Sequence, residues 1–149
     1  HLVWSERAID ERLRARFFPE AKQRHSLNYA LVREGKVVLR KTIEESSEDK
    51  PGIIGSGARF QITPEHRLFV IYYAGGTDSG GKSVAENRVR ELLADGHLTP
   101  SVRLPLEKAF SQYFTATIRG GSAPSRTLEM LGSRQGSGNT ISYARVRLY

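Results

Sequence analysis

The sequence has no cysteine, and only one tryptophan and one methionine, in 149 residues. Without cysteine there is no disulfide and no thiolate metal site, although that absence alone fixes no compartment. No apolar run approaches the roughly 18 residues that a membrane-spanning helix needs, so no membrane partner is expected. No secretory signal pattern is visible, and the chain begins at His1 rather than Met, so it reads as a processed product or a fragment. His25, His66 and His97 are scattered without metal-ligand spacing. Structural or solvent-exposed roles suit them better than a metal centre, and no metal or cofactor is expected.

Charge is present but unevenly placed. Residues 1–50 carry 11 basic and 9 acidic groups, residues 51–100 carry 5 and 5, and residues 101–149 carry 7 and 2. A basic C-terminal third suits an anionic partner such as an acidic glycan, a phosphate or a nucleic acid, beside the plainer role of keeping the chain soluble. The basic residues form no compact run and no recognition-helix pattern, which makes nucleic acid the weaker option.

Short segments rich in β-branched and aromatic residues recur between Gly, Pro and Asp turns. They cover Leu2–Trp4, Leu27–Val32, Lys36–Ile43, Arg59–Ile62, Leu68–Tyr73, Leu98–Leu106, Tyr113–Ile118 and Ile141–Leu148. Two segments look helical by spacing: Glu6–Phe18, and Val84–Ala94 with Val84, Ala85, Val89, Leu92 and Leu93. Internal repetition overrides the second. "SLNYALVREGKVVLRKTI" aligns with "AENRVRELLADGHLTPSVRLPL", and "TISYARVRL" restates the first half. Asn28-Tyr29-Ala30, Asn87-Arg88-Val89 and Ser142-Tyr143-Ala144 then take equivalent places, which makes Val84–Ala94 a strand. A period near 50 residues with about four strands per unit points to an all-β fold of antiparallel, four-stranded propeller blades.

One motif points elsewhere. Gly76-x-x-x-x-Gly81-Lys82-Ser83 matches the phosphate-cradling loop of nucleotide hydrolases. That site needs a strand, the loop, a helix, and a metal-holding Asp after a later apolar strand. Leu98–Leu106 and Tyr113–Ile118 offer no such Asp, and the chain does not alternate strand with helix. A nucleotide-binding protein is the third-ranked possibility, and the glycines are expected in a loop between blade strands.

The order "HLVW…SLNYA…G…TI", then "ARFQITPEHRLFVIYYAGG…ENRVREL…DG", resembles the sialidase-like (BNR-repeat) β-propellers. The resemblance runs through nearly the whole chain, with Asp95-Gly96 where the family's Asp-box belongs. It implies about two and a half blades: blade one over 1–43, blade two over 58–105 and blade three over 107–149. Blade three would supply 107–110, 112–118 and 140–148. Such a segment cannot close a ring, so another chain or further copies would complete it. The resemblance further implies a part in a glycoside hydrolase, a polysaccharide lyase or a non-catalytic lectin-like scaffold, with an anionic carbohydrate as ligand and an extracellular or periplasmic home.

On that strand assignment the long loops 6–25, 44–57, 75–84 and 119–139 share one end, where binding chemistry concentrates. The candidate ligand-binding residues are Glu6, Arg7, Asp78, Lys82, Arg119 and Arg126; arginine is favoured because its fork pairs with carboxylates. Catalytic residues are not assigned. Trp4, Tyr29 and Tyr143 are expected to pack inside the fold, as is Tyr73. The stretch 119–139, with Leu128, Met130 and Leu131, is expected to cap the top of a blade.

Overall fold

The computed structural model describes residues 1–149, apart from the side chain of Arg119. Among the described residues the chain is all-β, with ten strands, one short α-helix and one 3-10 turn, Ile118–Gly120. In order these are β1 (Leu2–Arg7), α1 (Glu11–Phe17), β2 (Arg24–Arg33), β3 (Lys36–Ser47), β4 (Ile53–Ile62), β5 (Leu68–Thr77), β6 (Ser83–Leu92), β7 (Val102–Arg103), β8 (Phe110–Thr115), β9 (Thr127–Arg134) and β10 (Ile141–Arg147). They form three open meanders with strand orders β1-β2-β3, β4-β5-β6-β7 and β10-β9-β8.

The backbone divides into two compact units, residues 1–56 with 74–84, and residues 57–73 with 85–149. In unit one, β2 is buried on both faces: Leu27, Asn28, Tyr29 and Ala30 are almost wholly inaccessible. Such a strand needs apolar or well-bonded side chains on each side. Asn28 meets this by donating Nδ2 to Ser26 Oγ at 2.9 Å and accepting from Thr42 Oγ1 at 3.1 Å. Tyr29 is core, as expected, and its hydroxyl hydrogen-bonds His1 Nδ1 at 2.8 Å. Close packing at Gly55 lets β4 approach Leu27; a Cβ there would meet Leu27 Cδ2 at 2.8 Å.

Unit two has one apolar core. Phe69 and Ile71 of β5 meet Leu104, Phe110, Tyr113, Leu128, Met130, Val146 and Leu148, with Tyr73 packed at its margin. The apolar members of β9 and β10 alternate with exposed residues, the pattern of sheets with one buried face.

Several expectations change. Glu6–Phe18 is not one helix: Glu6 and Arg7 belong to β1, and α1 starts only after Asp10, whose Oδ1 caps it by accepting from Arg12 N at 2.9 Å. Val84–Ala94 is a strand up to Leu92, as the repeat requires. The largest correction concerns 119–139. Instead of a cap, it holds β9, the central strand of the third sheet, with Leu128 and Met130 pointing into the core. The third sheet is therefore β8, β9 and β10, with Tyr113 in its first strand. Tyr143 is 54% exposed, and its hydroxyl donates to Glu129 Oε1 at 2.9 Å. Period-two alternation puts it on the solvent face of β10. Trp4 is only half-buried, with the Arg40 guanidinium 5.1 Å from its ring centre.

Candidate functional site: a polar cleft in unit one

The strands of unit one run further than their apolar cores suggest. β2 begins at Arg24, β3 ends at Ser47, and β4 begins at Ile53. The β3–β4 connection is therefore only residues 48–52, and side-chain acceptors hold it. Ser47 Oγ accepts from Lys50 N at 3.1 Å, and Ser46 Oγ accepts from Gly52 N at 3.0 Å. Gly52 O in turn accepts from Thr77 N at 3.3 Å, which ties the end of β5 to this turn. Gly76 permits the approach, since a Cβ there would lie 2.4 Å from Gly52 O.

The β1–β2 connection is organised by Gln23, which is almost fully buried. Its Nε2 donates to Ile9 O and to Glu11 Oε1, both at 2.7 Å. Its Oε1 accepts from Ile9 N at 3.3 Å and Arg24 N at 3.2 Å. Its backbone N–H donates to Glu48 Oε2 at 3.1 Å, while Glu48 N returns a bond to Gln23 O at 3.1 Å. Arg14 clamps the same Glu48 carboxylate with Nη1 at 2.5 Å and Nη2 at 2.9 Å. The guanidinium, followed by the Gln23 N–H, holds the Glu48 carboxyl below the usual carboxylate range.

Between these parts lies an open cleft of about 330 Å³, with Glu11, Gln23, His25, Ser46, Glu48 and Thr77 in its lining. Residues from 6–25, 44–57 and 75–84 all contribute, so three of the loops expected to share an end meet at one concavity. The polar groups left for a ligand are the His25 ring, half-buried and without a hydrogen-bond partner among the described residues, and the Thr77 hydroxyl; Glu11 gives one oxygen to Gln23 and has the other 3.6 Å from Arg14. Pro51, Gly52 and Ile54 also line it, so the cleft offers hydrogen bonds on several sides beside apolar surface, a mixture that suits a ligand with hydroxyl groups and apolar faces.

The nominated residues lie elsewhere. Glu6, on β1, accepts from Trp4 Nε1 at 2.9 Å, and this bond leads the causes that lower its pKa. Arg7 ends β1 opposite His25 in the ladder, next to the cleft without lining it. Asp78 Oδ1 accepts from Gly80 N and Lys82 N, both at 2.9 Å, so its role in the β5–β6 hairpin is structural. Lys82 is exposed at that hairpin tip. In unit two, Arg126 is ion-paired with Glu65. The Arg119 side chain lies outside the described residues. Gly76–Ser83 joins two neighbouring strands of one sheet and leads into β6, so the helix a phosphate loop requires is not there.

Sequence reasoning missed Glu11, Gln23, His25 and Thr77. Their only signal was position in the long loops, because the network that gathers them joins residues 14 and 25 apart. Among the described residues, no group of three His, Asp or Glu side chains is arranged to hold a metal ion. Compared with family models, curated proteins and solved structures, the chain matches none.

Proposed function

We propose that this chain is part of a sialidase-like β-propeller that binds or processes a carbohydrate, and that the glycan occupies the cleft of unit one. The observation that carries this reading is the convergence of the β1–β2 and β3–β4 connections, with the strand ends beside them and the end of β5, on one open, hydrogen-bonding cleft. Meanders of three, four and three strands support it too, because they correspond to a segment that leaves its first and last blades to be completed by another chain or further copies. The whole chain's excess of basic residues, 23 against 16, favours an anionic glycan through long-range attraction rather than through contacts in the cleft, whose own lining includes Glu11 and Glu48. On the family resemblance, the setting is extracellular or periplasmic.

One observation favours the lectin-like form over a glycosidase. Two-carboxylate hydrolysis needs one carboxyl free to give a proton and another free to attack or to activate water. The cleft's carboxylates are Glu11, which accepts from Gln23, and Glu48, which Arg14 clamps. Both are occupied as structural acceptors.

A panel of neutral, uronate-containing and sialylated oligosaccharides, presented to the native particle, tests the reading. Binding of an acidic member, weakened about tenfold or more by His25→Ala, is expected. Release of reducing ends would mark the enzyme, and retention without cleavage the lectin. A panel that binds nowhere, or binding indifferent to His25→Ala and Glu11→Gln, would remove the cleft from the proposal.

A further inference from the structure

A second concavity lies in unit two, at the open edge of the third sheet. Among the described residues β10 pairs with β9 alone, from Ile141 opposite Ser133 to Arg147 opposite Thr127, and its other edge has no strand partner. β7 is likewise the last strand of its sheet, paired to β6 through Val102–Val89 and Arg103–Arg88. Between the two ends runs a groove of about 350 Å³. Phe69, Val89, Val102, Leu104, Pro105 and Leu148 make its apolar lining. Val102 is 61% exposed and stands beside buried Leu104, so the apolar surface continues from the core to solvent.

The rim is cationic. Arg67, Arg103 and Arg147 line the groove, with Glu91 as the sole acidic side chain among its lining residues. Glu91 is already taken by Arg67 in a fork with both bonds at 2.8 Å. Arg103 shares Glu86 with Arg88: its Nε lies 3.5 Å from Glu86 Oε2, while Arg88 Nε holds Oε1 at 2.7 Å. Arg147 lies 5.6 Å from the Tyr149 ring centre and has no ion pair among the described residues. Two exposed guanidinium groups thus flank apolar surface, one sharing a carboxylate with Arg88 and the other with no ion pair among the described residues.

We infer that this edge and groove form a docking site for an extended, acidic–apolar segment of a partner polypeptide, which adds as a fourth strand beside β10. A strand paired there places alternate side chains over the groove. Its apolar residues cover Val102, Leu104 and Leu148, and its carboxylates meet Arg103 and Arg147. A second copy of this chain is a poor occupant. Its acidic run is already engaged: Glu45 pairs with Arg24 at 3.5 Å, Glu48 with Arg14, and Asp49 with Lys22. The inference narrows the completion of the third sheet, proposed above as another chain or further copies, to another chain; it does not need the glycan, since edge, groove and charges all belong to unit two.

The probe is a capped peptide of alternating valine and glutamate, with a valine–lysine peptide as control. Fluorescence anisotropy measures binding, and amide hydrogen exchange locates it. The acidic peptide is expected to bind and to slow exchange along Ile141–Arg147. The Arg103→Glu/Arg147→Glu double variant, checked for folding by far-UV circular dichroism, is expected to lose about tenfold or more in affinity. The exchange map of the unmodified chain does not depend on that variant. Equal binding of the two peptides, protection at the β3 or β8 edge instead, or no binding would each overturn the inference. So would self-association of the chain through β10 in the absence of peptide.

Discussion

The Asn87 side chain pairs with the backbone of Phe110 as a strand neighbour would. Nδ2 donates to Phe110 O at 3.0 Å, and Oδ1 accepts from Phe110 N at 2.7 Å. Both residues are buried, so this amide satisfies two peptide groups at the start of β8 that water cannot reach. Asn87→Ala orphans both, and a loss of about 3 kcal/mol is expected in urea unfolding. Asn87→Asp removes the donor and sets a carboxylate against a carbonyl, so it should be no better. An unchanged midpoint in both variants would show that the pairing contributes nothing.

Glu65 and Arg126 form an exposed ion pair in unit two whose small contribution fades in acid. The Arg126 guanidinium is the main cause that lowers the Glu65 pKa from 4.5 to about 2. A carboxyl depressed in the folded state stabilises above its unfolded pKa, and that contribution fades as pH falls from 4.5 towards about 2. Carboxyl-detected NMR should place the Glu65 midpoint far below those of free glutamates, and Arg126→Gln should return it towards the ordinary value. A Glu65 midpoint that ignores Arg126→Gln would disprove the assignment. Both side chains are well exposed, so the shift is also expected to shrink with added salt.

Gly132 sits opposite Tyr113 in the β8–β9 ladder, and a Cβ added there would lie 2.0 Å from Gln112 O. Backbone must move to admit even alanine. Gly132→Ala is expected to cost about 3 kcal/mol or more and to loosen the pairing of β8 with β9. Amide exchange at Tyr113 and Met130 reads that loosening directly. Retained protection with full stability would mean the two strands separate more cheaply than their contact implies.

What the sequence made legible was whatever repeats or alternates. β6 carries apolar residues at helical spacing, yet Asn87 aligned with Asn28 identified it as a strand. β5 was readable as one unbroken apolar run. β9 was hidden because "TLEMLGSR" follows Gly120, Gly121 and Pro124 and precedes Gly136 and Gly138, a framing that mimics a loop. Its strand identity comes from β8 and β10 on either side, a tertiary effect that no local window contains. The cleft was legible only as a place. Its residues are assembled by Gln23, whose partners are Ile9, Glu11, Arg24 and Glu48, and nothing in the "AKQRH" stretch announces that a glutamine there will be buried. Arg7 was the arginine of this region read as a ligand clamp, whereas the clamp the structure forms there is internal, from Arg14 to Glu48.

The Gly76–Ser83 hairpin makes the sharpest case of a motif emptied by its context. A phosphate loop works because several consecutive N–H groups point at the anion. Here those donors are spent inside the turn. Gly80 N and Lys82 N give to Asp78 Oδ1, Gly81 N gives to Asp78 O at 3.0 Å, and Asp78 N gives to Lys82 O at 2.9 Å. The Asp78 carboxylate fills the place an anion would take, with Gly81 supplying the positive φ of 80° that the turn needs. Two outcomes are therefore expected. Magnesium-ATP should give no binding heat with the unaltered chain, and Asp78→Ala should lower stability by about 1 kcal/mol by freeing two partly solvated amides. Lys82→Ala, which removes an exposed side chain while keeping every backbone bond of the turn, should leave stability within about 0.5 kcal/mol. If ATP bound and Lys82→Ala abolished that binding, the hairpin would have to open into another conformation, and the structural role of Asp78 would be wrong.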